Sequence, residues 1–330
     1  MTIDIKAVLA NAPAPDEVAA AAIRDRAANV LRPTGALSRL DEVAAWLAGW
    51  QRTDRPRVDR PEVLLFAADH GVALDGVSAY PAEITAAMCH AVEQSQATVT
   101  AFAKDLGATV SLVDVGVGTP TGNLRTEPAL SEARFEEAFR AGRAAVAKGD
   151  ADLLVLGEMG IGNTTPAAAV AAAICGGDPA IWVGPGTGVA GSQLDHKRTV
   201  VTEAIGRIAA IDDPMEVLRQ VGGAELVAMA GAAVEARLRS IPVILDGYVA
   251  TAALLPLHEA VPGSLDHVLA GHRSPEPGHR WLLERFGKEP LLDLSLRLGE
   301  GSGALAALPL VRLAIAGVLN VATFSEAGLA

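Results

Sequence analysis

Aromatic residues are scarce in this 330-residue chain, at 4%. That scarcity argues against an aromatic-rich β fold, and the abundance of alanine favours closely packed helices. Cysteine is nearly absent: Cys89 and Cys175 are the whole supply, both in apolar, helix-like surroundings. Two buried free thiols in a reducing cytoplasm are expected, rather than a disulfide or a metal pair. Positive charge is short too, with 27 Lys and Arg against 39 Asp and Glu and a net charge of −12. Nucleic acid and anionic membrane are poor partners for such a chain. An anionic substrate would need local cations and free N–H groups. No unbroken apolar run reaches membrane-spanning length. The longest, residues 305–324, is interrupted by Pro309, Arg312 and Asn320 and reads as a buried helix. Near the start, Asp4, Lys6, Asp16 and Glu17 leave no apolar core for a signal peptide. No G-x-S-x-G elbow and no Cys–His arrangement points to acyl transfer.

What is present is alternation. Apolar, β-like runs recur at residues 63–66, 110–113, 153–156, 180–183, 242–245 and, more weakly, 268–270. Helical stretches lie between most of them, at 85–106, 132–148, 166–175, 193–211 and 225–239. Strand and helix in alternation imply a parallel sheet covered on both faces, and continuous apolar strands fit double-sided burial. The expected fold class is α/β, a Rossmann-like parallel sheet with a smaller helical domain built from both chain ends. Residues 61–257 form the sheet domain. Residues 1–60 carry helical runs at 18–31 and 38–50, with Ser38 and Asp41 at capping-box spacing. Residues 258–330 complete the small domain and the site. Each strand ends in a polar or glycine turn, so the candidate chemistry collects along one sheet edge.

The most informative of these turns is Gly157-Glu158-Met159-Gly160-Ile161-Gly162-Asn163-Thr164-Thr165. A glycine turn between strand and helix frees backbone N–H groups at a helix N-terminus, where they hold a phosphate. Gly160, Ile161, Gly162, Asn163 and Thr164 are the expected contacts. Asn163 stands where a P-loop needs lysine, which argues against triphosphate use. A second turn supplies Gly186, Thr187 and Gly188. It matches G-x-G-x-x-G through Gly191, but no acidic residue ends a following strand, so a nicotinamide dinucleotide is not expected.

Glu158 sits inside the first turn, where an acid would repel a phosphate unless it has another task. Glu300 lies in Gly299-Glu300-Gly301-Ser302-Gly303 before an apolar helix. It reads as a general base, or as a plain acidic residue at a helix start. Lys197 opposes the dipole of its helix and faces an anion or simply solvent. Asp246 and Asp114 end strands and suit sugar hydroxyls, a ribosyl cation or turn capping. Ser78 and Tyr80 suit the wall of a site for a flat heterocycle. Ser274 belongs to the stiff loop His272-Arg273-Ser274-Pro275-Glu276-Pro277-Gly278-His279. There Arg273 reads as a lid residue for phosphate, and the prolines forbid a helical histidine pair for metal. Asp69-His70 reads as scaffolding or catalysis.

Taken together and in order, Ala68-Asp69-His70-Gly71-Val72, Val77-Ser78-Ala79-Tyr80-Pro81, the Gly157–Thr165 turn, Gly184-Pro185-Gly186-Thr187-Gly188, Leu245-Asp246-Gly247, the His272–His279 loop and Arg297-Leu298-Gly299-Glu300-Gly301-Ser302-Gly303 resemble the nicotinate-nucleotide–dimethylbenzimidazole phosphoribosyltransferases. These enzymes prepare the lower ligand of cobalamin. The resemblance implies a Rossmann-like sheet domain, a helical domain from both termini and a homodimer. It implies transfer of phosphoribose from nicotinate mononucleotide to 5,6-dimethylbenzimidazole, with inversion at the anomeric carbon. Glu300 matches the family's proton acceptor, and Glu158 and Lys197 match active-site positions. No metal and no cofactor are expected, because a pyridinium nucleotide already carries its leaving group. A nucleoside phosphorylase or hydrolase, or a nucleotide-binding protein without turnover, remain the alternatives.

Overall fold

The computed structural model describes residues 3–329. Five parallel strands form one sheet in the order β2-β1-β3-β4-β5. They are β1 (Pro61–Ala68), β2 (Thr109–Gly116), β3 (Leu153–Met159), β4 (Val243–Leu245) and β5 (Val268–Ala270). The helices are α1 (Ile5–Leu9), α2 (Glu17–Asn29), α3 (Ser38–Gln51), α4 (Ile84–Glu93), α5 (Thr98–Leu106), α6 (Glu132–Lys148), α7 (Thr164–Cys175), α8 (Ser192–Arg207), α9 (Pro214–Val221), α10 (Ala224–Leu238), α11 (Tyr248–Ala260), α12 (Pro277–Arg285) and α13 (Ser302–Leu319).

The pleat divides the apolar strand residues between two cores. Leu64, Phe66, Leu154, Leu156, Val243 and Leu245 face one, packed by α6, α7, α10 and α11. Val63, Leu65, Leu153, Val155 and Ile244 face the other, packed by α3, α5 and α13. The expected α/β sheet covered by helices on both faces is thus the observed one. In this strand order the connection reverses direction between β1 and β3, and the crevice there opens at the carboxyl ends of the strands.

Four local readings differ from the structure. Residues 180–183 form no strand. Asp178 accepts the Ala180 N–H at 2.9 Å and Pro179 opens a single 3₁₀ turn, Pro179–Ile181, so the run is capped as a helix would be. The stretch 85–106 is two helices, α4 and α5, parted by Ser95 at φ 56°. Ser38 does not cap α3. Leu37 holds that place without a side-chain bond, and Asp41 pairs with Arg32 instead. Both cysteines are free and half-buried rather than fully buried, and burial pushes each thiol up to about 11.

The chain ends meet. α2 and α13 both pack on α3, Val30 bridges Thr323, and Arg26 donates to Val318 O and pairs with Glu326. Among the described residues α13 alone is long and apolar enough to cross a membrane. Half of it is buried, with Leu305, Leu308 and Val311 in the second core.

His267 is fully buried between Trp50, whose ring stands edge-on at 5.7 Å, and the β4–β5 edge. Burial, with Arg237 and Lys288 nearby, lowers its pKa from 6.5 to about 3. The unfolded chain therefore takes up a proton that the folded chain refuses. Stability is complete above the unfolded value and is lost as pH falls below it. Between neutrality and about pH 5 this single group should remove about 2 kcal/mol. Denaturant titrations at the two pH values check it, and His267→Phe should flatten the difference.

Candidate active site

The site is built on the Gly299–Gly301 turn. Gly299, Glu300 and Gly301 have φ of 87°, 63° and 81°. The glycines adopt this left-handed backbone freely, whereas Glu300 is strained there by about 1–3 kcal/mol. Neighbours hold it in place. Glu300 N–H donates to Glu158 O at 3.3 Å, and Ser302 Oγ donates to Gly299 O at 2.7 Å. The Asp246 carboxylate, at the end of β4, accepts the N–H groups of Gly301 at 3.1 Å and Ala304 at 2.9 Å. Gly301 cannot cap α13 with a side chain, so Asp246 does so from the sheet. Under the turn, a Cβ on Gly157 would lie 2.6 Å from the Glu300 carbonyl, so β3 must carry glycine there.

Above the turn opens a cavity of about 390 Å³. Tyr80, Ile84, Met88, Met159, Tyr248, Val249 and Leu298 give it an apolar wall. Its polar groups are Glu158, Asn163, Thr164, Thr187, His272, Ser274, Glu276, Arg297 and Glu300, with the backbone of Gly160, Ile161, Gly186, Gly247 and Gly299. An apolar slot with a few convergent polar groups suits a flat heterocycle carrying an anionic tail.

The acids differ in environment. Glu300 is buried yet lines the cavity. Burial raises its pKa, the Val99 N–H at 3.4 Å opposes this, and the Asp246 charge adds to the rise. Glu158 is raised well above the ordinary value. Burial is the main cause, a bond from Asn163 Nδ2 opposes it, and the charges of Asp246, Glu225 and Glu300 reinforce it. Two carboxyl groups whose surroundings shift their titration can divide acid and base work between them.

Lys197 is not at the surface: it is fully buried. Its Nζ donates to Thr164 Oγ1 at 2.7 Å and Gly184 O at 3.1 Å. Burial lowers its pKa to about 8, against the charge of Glu276. It does not line the cavity but steadies Thr164, which does. Ser78 Oγ bonds Thr187 Oγ1 at 3.0 Å and so reaches the cavity through that hydroxyl. Gly162, Gly188 and Gly301 shape the turns behind the lining. Asp246 lies beneath the cavity with its oxygens on two N–H groups and His272 Nε2 at 3.3 Å, so the strand-end acid is a clamp. Asp114 accepts the N–H groups of Gly116 and Val117 away from the site. Arg273 is exposed, is paired with Asp293 and does not line the cavity.

The histidines of this region are hydrogen-bonded. His279 Nδ1 accepts the Ser274 N–H at 2.9 Å, so its Nε2 carries the proton to Thr251 Oγ1, also at 2.9 Å. His70 pairs with Glu225 at 2.8 Å, both fully buried, behind the Gly160 turn. Sequence reading missed Glu276, Tyr248, Met88 and Arg297 as lining residues. Glu276 stood in a quoted motif, and its neighbour Ser274 was the residue singled out there.

A family model described as phosphoribosyltransferase matches residues 12–329. A protein of Cereibacter sphaeroides named nicotinate-nucleotide–dimethylbenzimidazole phosphoribosyltransferase is 47% identical over 326 residues, 98% of this chain and 96% of that protein. One of the same name from Jannaschia sp. is 47% identical over 329 residues, covering 99% and 97%. A crystal structure of CobT from Thermus thermophilus superposes with a TM-score of 0.90 at 42% identity, over 95% of this chain and 99% of that one.

Removing the clamp should be costly. Asp246→Ala leaves two helix N–H groups and His272 without their acceptor. It should lower the unfolding free energy by about 3 kcal/mol. Urea titration checks this, and a loss below about 1 kcal/mol would contradict the role.

Proposed function

Because this chain belongs to the nicotinate-nucleotide–dimethylbenzimidazole phosphoribosyltransferase family, we propose that it moves phosphoribose from nicotinate mononucleotide to 5,6-dimethylbenzimidazole. The products are α-ribazole 5′-phosphate and nicotinate. The observation that carries the reading is the buried carboxylate of Glu300, fixed at the edge of an apolar cavity that fits a benzimidazole.

The base lies along Tyr80, Ile84, Met88 and Leu298. The phosphate sits at the N-terminus of α7, gripped by the Thr164 amide and by the Thr164 hydroxyl that Lys197 holds. The Thr187 amide closes the far side. Nicotinate leaves as the ribosyl carbon gains cationic character. The azole attacks through one ring nitrogen from the opposite face, and the proton on its other nitrogen becomes acidic. Glu300 accepts that proton. The raised pKa suits the task, since a base titrating nearer neutrality takes a proton more strongly.

Glu158 supports this division of labour. Its surroundings shift it toward the protonated form, which lessens the repulsion that an arriving phosphate meets. Glu158, held by Asn163, lines the wall beside the ribosyl centre. The two unpaired thiols fit a reducing cytoplasm, and exposed Phe102 and Leu313 fit a homodimer.

The reading is tested by incubating the protein with nicotinate mononucleotide and 5,6-dimethylbenzimidazole. Mass and NMR should identify α-ribazole 5′-phosphate. Nicotinate released equally without the base would mark a hydrolase, and unchanged substrates a binding protein. Glu300→Gln keeps shape and removes basicity, so it should lower turnover by roughly 10²–10⁴-fold. Nucleotide affinity should change little. The wild-type rate should fall as pH drops through a limb above the usual carboxylate range, since the base must be ionised and its pKa is raised. That limb should vanish in Glu300→Gln.

A further inference from the structure

The donor nucleotide carries its phosphate into a cavity whose wall holds three carboxyl side chains, Glu158, Glu276 and Glu300. Thr164 and Thr187 offer that phosphate hydrogen bonds but no charge. Lys197 is fully buried, and its ammonium is already bonded to Thr164 Oγ1 and Gly184 O. Among the described residues, Arg297 is the one lysine or arginine that lines the cavity. It is exposed and forms no hydrogen bond or ion pair with any of them. Of the described arginines only Arg55 is equally free, and it lies at the other end of the sheet, near Asp152 at the start of β3. The backbone that carries Arg297 is fixed on both sides. Ser295 and Gly299 are left-handed, with φ of 55° and 87°, and Glu300 N–H is held by Glu158 O at 3.3 Å. The charge of Arg297 is felt at Glu276. Burial raises the pKa of that carboxyl, and Lys197, the Gly186 N–H and Arg297 oppose the rise. Glu276 Oε1 accepts the Gly186 N–H at 2.9 Å, while its Oε2 is sealed against the Gly184 backbone without a partner. Gly186 in turn abuts Thr164, since a Cβ there would lie 2.7 Å from Thr164 Oγ1. Arg297 and the Thr164 hydroxyl therefore serve the same end of the cavity.

We propose that the Arg297 guanidinium pairs with the 5′-phosphate of the donor nucleotide, and so selects nucleotides over nucleosides. The inference rests on the transfer reaction proposed above. The donor has two anionic groups, the phosphate and the pyridine carboxylate. The phosphate belongs at Thr164, and the carboxylate lies beyond the ribose from it. A guanidinium presents a planar fork of donors that meets two phosphate oxygens at once. Charge-assisted bonds of this kind are about twice as strong as neutral ones. A cation on the open side of the cavity also offsets the repulsion between an entering dianion and the acids of the wall. Arg297 gives up no earlier partner in doing so, and the contact costs only the ordering of a free side chain. The phosphate takes no part in bond making at the anomeric carbon. The pair is therefore present before and during transfer alike, and it acts on binding rather than on turnover.

The test measures calorimetric dissociation constants, and product formation with 5,6-dimethylbenzimidazole, for wild type, Arg297→Met and Arg297→Lys. Three ligands are compared: nicotinate mononucleotide, nicotinamide mononucleotide, which keeps the phosphate and lacks the carboxylate, and nicotinate riboside, which lacks the phosphate. Arg297→Met should weaken both mononucleotides by about 10- to 100-fold and leave the riboside nearly unchanged. Arg297→Lys should recover part of the loss, because it restores the charge without the fork. In turnover, KM for nicotinate mononucleotide should rise and kcat should change little. Unaltered affinity for nicotinate mononucleotide in Arg297→Met would overturn the proposal. So would a loss confined to nicotinate mononucleotide, which would put the arginine on the pyridine carboxylate, or an equal loss on all three ligands. Product formation by the wild type decides the transfer reading separately. If wild type makes no product yet binds the mononucleotides with this dependence on Arg297, the transfer reading fails and the assignment of Arg297 stands.

Discussion

The bond pair from Asp246 to the start of α13 is the constraint on which the site depends. One carboxylate, fixed at the end of β4, holds two N–H groups of a helix from the far end of the chain. That clamp joins the sheet to the late glycine turn. It permits three successive left-handed residues, and the middle one is a glutamate. A strained non-glycine residue persists only where its surroundings over-determine it. Here the surroundings are Asp246 below, the Glu158 carbonyl beside it and the bare Cα of Gly157 beneath. The strain buys placement: Glu300 faces the cavity while remaining buried.

The same crowding sets the electrostatics. Asp246 and Glu300 sit near Glu158, and Glu225 reaches it from behind. Carboxylates gathered out of water disfavour one another's ionisation, so burial and acidic neighbours push Glu158 toward its protonated form. Lys197, lowered to about 8 by burial, answers the acid cluster from the other side of the glycine turns. The arrangement sets two carboxyl groups raised by burial, and one lysine lowered by it, beside a slot of apolar side chains. A chain with a net charge of −12 can thus receive an anionic nucleotide through local geometry.

Much of the sheet was legible because burial on both faces demands continuous apolar strands. β1, β2, β3 and β5 stand where such runs were read, and β4 within its run. The run at 180–183 had the same composition but failed as a strand. Asp178 and Pro179 offered a local hydrogen-bonded alternative, and no neighbouring strand competed for it. The glycine spacing around Glu300 betrayed an unusual turn, since only a left-handed backbone needs glycine on both sides. Other features are tertiary and left no local mark. Asp246 could not be told from a sugar ligand because its helix partner lies 55 residues away. Lys197 read as facing either an anion or solvent because a charged side chain in a polar helix gives no sign of burial. Arg273 looked like a phosphate ligand because its partner Asp293 lies in another loop. Glu276 could not be read at all, because an unpartnered oxygen exists only once the fold has excluded water from it.

The central claim is that a carboxylate raised on this clamped turn takes the proton of an incoming azole. The most direct measurement is a crystal structure of the protein with 5,6-dimethylbenzimidazole bound. The account predicts a Glu300 carboxylate oxygen about 2.6–3.2 Å from one ring nitrogen, with the other nitrogen facing the Gly160–Thr164 turn where the nucleotide sits. A base bound in the cavity with both nitrogens beyond hydrogen-bonding reach of Glu300 would contradict it.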